Sequence, residues 1–198
     1  MTIILTGCKK DHVFEEGVMF GYINGYVYAD LGLSVKWATC NVGASSPEDY
    51  GDYFAWGETS PKAEYTWENS VTYEEQMSDI SGNAQYDAAT ANWGGSWRMP
   101  TKAELEELEN RCTWEWTTQN GVKGYRVTGP NGNSIFLPAA GYRLRSWLDY
   151  AGAYGNFWSS TPNESNSNFA YYLDFGSGYQ LVNWSYRYSG LSVRPVAE

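Results

Sequence analysis

Residues 97–112 read WRMPTKAELEELENRC, and no other part of the chain declares its local structure so plainly. Thr101 and Glu104 form a T-x-x-E capping box, in which each side chain satisfies a backbone N–H that the first turn of a helix leaves free. A helix therefore begins after Thr101. Leu105, Leu108 and Cys112 fall on one face of it, and Glu106, Glu107 and Glu109 point outward as a solvated face. Beyond the helix, residues 121–127 and Ser134–Pro138 read as two strands, joined by Pro130-Asn131-Gly132-Asn133 with the hairpin signal Asn-Gly at its centre. One helix feeding a hairpin predicts an α+β fold.

Working back toward the start, Asn24-Gly25 marks a tight turn between two short β-prone runs. Leu33, Val35 and Trp37 alternate with Ser34 and Lys36, giving one apolar strand face. Ser46-Pro47-Glu48-Asp49 has the chemistry of a second helix start, with Ser as N-cap, Pro in the first turn and acids behind it. Gly51 keeps that helix short. Residues 59–92 are polar and irregular, a long surface loop region pinned by Tyr65, Trp67 and Tyr73. The expected architecture is small antiparallel sheets, two short helices and long irregular loops.

Working forward, residues 141–191 are rich in Tyr, Ser, Asn, Gly and Trp, and no lysine follows Lys123. Binding proteins use this palette, with Tyr and Trp for rigid amphipathic area and Ser, Asn and Gly for adaptable hydrogen bonds. Enzyme pockets instead set a few titratable groups in an apolar lining. The segment reads as a binding surface.

The totals agree. At 198 residues the chain suits one domain with a short tail, and 17% aromatics with 21 glycines favour a loop-rich, sheet-containing fold. A formal net charge of −10 argues against a nucleic-acid partner, which would need a basic footprint. The single histidine, His12, falls in the polar N-terminal stretch, which removes Ser-His-Asp, Cys-His and multi-His metal arrangements. No metal, cofactor or catalytic residue is expected. The three cysteines, Cys8, Cys40 and Cys112, form no C-x-x-C pair. Cys40 and Cys112 read either as small buried residues or as partners in a disulfide.

Leu5-Thr6-Gly7-Cys8 resembles a bacterial lipobox, with Cys8 as the lipidated residue and the polar residues 9–17 as a linker. Only seven residues precede Cys8, fewer than a working signal carries. The expected layout is a leader remnant and linker over 1–18 and a ligand-binding domain over 19–198. The expected location is the bacterial outer membrane or cell surface, with membrane attachment through a lipid alone.

Several motifs, in order, resemble the Fibrobacter-type major paralogous domain family. They are DLGLSVKWATCNVG at 30–43, DYFAWGE at 52–58, WRMPT at 97–101, LPAAGY at 137–142, WSS at 158–160 and SVRPV at 192–196. The resemblance covers roughly residues 19 to 196. It implies a C-type-lectin-like fold of the formylglycine-generating-enzyme-like form, used as the variable protein of diversity-generating retroelements. In such systems adenine misreading turns Asn codons into Tyr, Ser, Asp, Phe, Leu, Gly, Arg and others, but never Trp, Lys, Glu, Gln or Met. The family pattern implies that Leu144, Asp149, Tyr150, Tyr154, Asn156 and Phe157 vary and contact ligand. It implies the same for Phe169, Tyr172, Asp174, Tyr179, Leu181, Asn183, Ser185, Tyr186, Tyr188 and Leu191. Trp147 lies among these positions but is out of reach of an Asn codon.

Strand alternation provides a second view of these positions. Tyr171, Leu173 and Phe175 share one face and Tyr172 and Asp174 the other, while 179, 181, 183 and 185 oppose Val182 and Trp184. Trp158, Ala170, Tyr171, Leu173, Phe175, Val182, Trp184, Val193 and Arg194 are thus expected as framework. Phe169 and the pair Ser185–Tyr186 break the alternation and require a strand end, turn or bulge.

The expected function is non-enzymatic binding of a protein or glycan. An invariant carbohydrate-binding or adhesive lectin-like protein is the alternative. Calcium-dependent sugar binding has only faint support, in Pro162-Asn163-Glu164 and Asn183-Trp184. Formylglycine-type oxidation would need late cysteines, and none follows Cys112.

Overall fold

The computed structural model describes Cys8 and residues 20–198. The lipobox-like residues before Cys8, the polar stretch after it and His12 lie outside the described residues. The described chain forms four antiparallel sheets and two α-helices. Strands β1 (Phe20–Ile23) and β2 (Tyr26–Ala29) form the hairpin expected at Asn24-Gly25, where both residues take the positive φ of a tight turn (48° and 84°). Strand β3 (Lys36–Ala38) pairs with β2. A long connection then leads to α1 (Ala88–Trp93) and α2 (Lys102–Arg111). Strands β4 (Thr113–Gln119), β5 (Val122–Thr128) and β6 (Ser134–Pro138) form a meander.

Strands β7 (Tyr142–Leu144) and β8 (Trp147–Asp149) pair as a small ribbon. Strands β9 (Gly155–Pro162), β10 (Phe169–Gly176) and β11 (Tyr179–Tyr186) make a sheet with β10 central. The last strand, β12 (Val196–Ala197), returns to β3 with Val196 opposite Trp37, completing the order β1-β2-β3-β12.

Helix α2 begins after Thr101 with its capping box formed. Glu104 also receives both Nη atoms of Arg98, at 2.8 and 2.6 Å. Burial would raise the Glu104 pKa, but the hydrogen bonds from Arg98 and Thr101 overcome it and hold the carboxyl below its usual range. The outer glutamates do more than face solvent. Glu107 accepts from the Ser34 backbone at 3.0 Å and pairs with Arg111 at 2.6 Å, and Glu109 accepts from the Val182 N–H at 3.1 Å.

No helix forms at Ser46–Asp49. The Asp49 carboxylate instead accepts from the N–H groups of Ser45 and Ser46, at 3.0 and 2.8 Å, and closes a turn. The second helix is α1, all but its last residue inside the stretch 59–92 expected to be irregular. Its N-cap Asp87 is buried and accepts from the backbone of Thr90, Gly82 and Met99. Burial raises its pKa in opposition to those bonds. Tyr65 is buried as an anchor of the long connection, whereas Trp67 is exposed.

One core cluster joins Leu105 and Leu108 to Trp37, Tyr125, Val127, Leu137, Leu173 and Phe175. A second gathers Trp56, Trp93, Trp97, Trp158, Ala170, Leu191 and Val193. Three indoles each donate to a distant carbonyl: Trp56 to Ser159 at 2.9 Å, Trp97 to Ile23 at 2.8 Å and Trp158 to Phe54 at 2.8 Å. Arg194 is wholly buried and donates to Asn41 Oδ1 at 2.8 Å, the Ala38 carbonyl at 3.1 Å and the Phe136 carbonyl at 3.0 Å.

Cys8 is bonded to Cys40 across a sequence separation of 32, with Cα atoms 5.7 Å apart. Its carbonyl accepts from Val27 and its N–H donates to Ser45. One sulfur cannot carry both a disulfide and a lipid thioether, so the expected lipidation of Cys8 is corrected to a disulfide. A Cys40–Cys112 bridge is likewise replaced. Cys112 is a free, half-buried thiol whose pKa burial pushes up to about 11.

Two outcomes follow. Arg194→Lys removes the fork that reaches three diverging acceptors, and is expected to lower unfolding free energy by about 2–4 kcal/mol in urea titration. Non-reducing peptide mapping should recover Cys8 and Cys40 in one cross-linked fragment, and Cys40→Ser should cost about 2–4 kcal/mol; a diacylglyceryl group on Cys8 would contradict the assignment.

Candidate binding surface

The β9–β10–β11 sheet has two faces, set by the continuous β10–β11 register from Phe169↔Tyr186 to Gly176↔Tyr179. Opposed residues share a side. Phe169, Tyr171, Leu173 and Phe175 therefore lie with Tyr186, Trp184, Val182 and Gln180 on the face packed by α2. Tyr172 and Asp174 lie with Asn183, Leu181 and Tyr179 on the other face. The expected breaks in alternation fall at strand ends: Phe169 opens β10 and Tyr186 closes β11. The β9–β10 register also shifts between Ala170 and Tyr172.

On the second face the structure brings together five of the expected residues. Ring centroids run from Tyr150 to Tyr154 at 5.2 Å and on to Tyr179 at 6.4 Å, with Tyr142 5.9 Å from Tyr150. The Tyr179 hydroxyl donates to Asp174 Oδ1 at 3.4 Å, and the Tyr172 side chain also hydrogen-bonds Asp174. Burial raises the Asp174 carboxyl pKa, against those two bonds. Tyr179 is raised to about 12, by burial first and then by the Asp174 charge, and Tyr172 is raised for the same two reasons. These hydroxyls therefore stay protonated as donors.

Tyr150 takes a left-handed φ of 57°, which costs a non-glycine residue about 1–2 kcal/mol. Its carbonyl accepts from Ala153 and Tyr154, so the turn that sets the rings side by side is backbone-bonded. Gly141 is required beneath it. Its φ is +64°, and a Cβ there would meet the Asp149 carbonyl and the Ala151 N–H.

A second aromatic cluster lies on the same face as α2, where β10 begins and β11 ends. Phe169 is 4.5 Å from Trp184 and 4.6 Å from Tyr186, Tyr186 stacks on Tyr188 at 5.0 Å, and Tyr73 meets Tyr188 edge-on at 5.4 Å. Between Tyr186 and Tyr188, Arg187 turns inward over the Trp56 ring at 4.4 Å. It donates to the carbonyls of Thr72, Glu75 and Phe169, and burial pulls its pKa down to about 10.

The other expected positions divide. Leu181 is exposed, and Leu144, Asp149, Asn183 and Ser185 are half-buried. Three expected contacts are corrected because they are buried. Phe157, at 1% exposure, stacks on Phe175 at 5.8 Å. Leu191, also at 1%, is bridged to Phe54 by backbone bonds of 2.9 and 3.0 Å. Asn156 lies opposite Asp174, with its Nδ2 buried and unpartnered.

The opposite correction applies to Trp184. Expected as framework, it is 51% exposed. Trp147 is also exposed, at 70%, and Tyr73 and Tyr142 join the clusters without having been anticipated. Only spatial packing could place Tyr73, whereas Tyr142 lies two residues before Leu144 in β7 and opposite Asp149, so alternation could have found it. Tyr171 is half-buried beneath the Lys102 ammonium, 4.3 Å from its ring centre.

Among the described residues no three His, Cys, Asp or Glu side chains are grouped to hold a metal ion, and no helix is long and apolar enough to cross a membrane. No curated protein and no solved structure gives a match to this chain. A family model, described as the Lcl C-terminal domain, matches residues 26–197, in keeping with the resemblance to the Fibrobacter major paralogous domain. That span takes in every strand from β2 to β12 and both aromatic clusters but for Cys8 and β1, and the chain belongs to the Lcl C-terminal domain family.

Proposed function

We propose that this chain is a non-enzymatic ligand-binding domain of C-type-lectin-like, formylglycine-generating-enzyme-like form, displayed at a bacterial surface. Its ligand is a protein or a glycan, met by the outward residues of β7–β8 and β10–β11. Those residues are the ones a retroelement would diversify. One observation carries the reading. Of ten exposed large hydrophobic residues among the described ones, eight lie between Trp147 and Tyr186. Most of their rings form two clusters, one on each face of the β9–β10–β11 sheet, and exposed aromatic residues gathered into clusters mark interaction sites, whereas scattered ones do not.

Three further features support it. The positive φ at Tyr150 is strain held at the centre of an exposed cluster, where a purely structural turn would use glycine. The Cys8–Cys40 bridge suits an oxidising compartment outside the cytoplasm. The remaining thiol, Cys112, is pushed away from the thiolate form that nucleophilic chemistry needs.

Under this reading Trp147 and Trp184, the exposed tryptophans of residues 141–191, are constant members of a changing surface, because no Asn codon reaches Trp. Buried aromatic anchors at interfaces commonly dominate binding, at about 2 kcal/mol or more for truncation, and Trp147 and Trp184 are available for that part.

Resequencing this locus in sibling isolates tests the proposal. Substitutions should concentrate at Leu144, Asp149, Tyr150, Tyr154, Tyr172, Asp174, Tyr179, Leu181, Asn183 and Tyr186. Trp147 and Trp184 should stay fixed, and the buried Phe157 and Leu191 should change little. An unchanging surface across isolates would sink the diversification and favour an invariant adhesive or carbohydrate-binding protein. Substitutions spread evenly over the tryptophan framework would count against both.

A further inference from the structure

We propose that the tyrosine cluster beside Asp174 is a seat for a basic side chain, lysine or arginine, presented by a protein partner. The inference rests on the binding-surface reading above and gives one of its two clusters a ligand chemistry. Tyr150, Tyr154 and Tyr179 offer a continuous run of rings, and the Asp174 carboxyl stands at the end of that run, against the Tyr179 hydroxyl. Ring faces attract cations through their quadrupole, and a carboxylate adds a full counter-charge. Asp149 supplies a second negative charge, close enough to Tyr142 to raise that residue's pKa after burial has done so.

Of the segment's own cations, Arg187 is buried on carbonyl groups, Arg143 lies over the Tyr53 ring at 5.1 Å, and Arg145 is exposed in the β7–β8 turn with no carboxylate of the described residues in an ion pair with it. Among the described residues neither Asp149 nor Asp174 belongs to an ion pair. The cluster is therefore acidic and aromatic with both carboxylates free of an ion pair, inside a chain of formal charge −10 that steers positive partners toward it. Burial raises the Asp174 pKa, so its charged form gains from a cation that replaces lost water. A neutral sugar would use the ring faces but leave both negative charges unmatched. The cluster of Phe169, Trp184 and Tyr186 offers ring faces with no carboxylate of the described residues hydrogen-bonded to them, and serves as an internal control for the added charge.

The test uses the full chain labelled for amide NMR and titrated with N-acetyl-arginine methylamide, N-acetyl-lysine methylamide, N-acetyl-glutamine methylamide and a methyl hexopyranoside. Both basic probes should give saturable shifts at the amides of Tyr150, Tyr154, Asp174 and Tyr179. Those shifts should weaken roughly tenfold in Asp174→Asn, weaken on raising salt and persist in Trp184→Ala. Tyr179→Ala, at an exposed position, should weaken them several-fold and stands in if Asp174→Asn gives a poorly dispersed spectrum. Equal saturation by the glutamine amide, or preferential saturation by the sugar, would overturn the cation assignment and leave the binding surface standing. No shift at either cluster with any probe would count against both.

Discussion

The Arg194 guanidinium is the constraint on which the rest of the fold depends. It sits two residues before β12 and reaches Ala38 at the end of β3, Asn41 just beyond it and Phe136 in β6. No carboxylate is among these partners, so a full positive charge is solvated by dipoles alone, and burial pulls its pKa down to about 9. Placing an ion in such surroundings costs several kcal/mol unless every donor is matched. The matching exists only when the chain's return strand, its first sheet and the β4–β6 meander are assembled together. The arrangement penalises any packing in which one of the three is displaced.

The tryptophans extend the same logic to residues 141–191. Trp56 and Trp158 are cross-connected, each indole donating to a carbonyl one or two residues along the chain from the other. Around them the segment is fastened through backbone groups. Arg143 and Gly190 exchange bonds at 2.7 and 2.9 Å, Tyr65 and Arg145 at 2.9 Å, and Phe54 and Leu191 at 2.9 and 3.0 Å. Backbone bonds do not depend on the side chain that the residue carries. A segment held in this way can change its outward residues while its path stays fixed, and diversification would require that property.

Much of this was legible from local chemistry. The capping box at Thr101, the Asn-Gly turns and the strand alternation in β10 each depend on neighbours within a few residues, and each appears where the sequence places it. The failures have a common cause. Ser46-Pro47-Glu48-Asp49 holds the right residues for a helix start, but Asp49 uses its carboxylate to close a turn on Ser45 and Ser46. Helix α1 has only six residues, and its Asp87 cap gains its other donors from Gly82 and Met99. Phe157 and Leu191 are compatible with an outward, variable role by type. They are buried because β9 is flanked by parallel bridges from Ser192 and Gly141, a long-range fact that alternation cannot carry. Cys8 reads as a lipidation site by its neighbours and is a disulfide partner by its position in space.

Trp184 shows how geometry, not composition, decides what is surface. It lies on the face that α2 covers, beside Val182, and alternation assigns both to the core. Helix α2 has 10 residues, a length of about 15 Å. Strands β10 and β11 have 8 residues each, a length of about 27 Å. Even lying along the strands, the helix could shelter little more than half of that face. Its first residue, Lys102, sits over Tyr171 and donates to Thr161 of β9, while Glu109 near its other end bonds Val182 of β11, so the helix crosses the strands and leaves Trp184 and Tyr186 uncovered. The rings outside its path stay in contact with one another, with Trp184 and Tyr186 open to solvent, so the second aromatic cluster follows from the partial cover that one short helix gives a longer sheet.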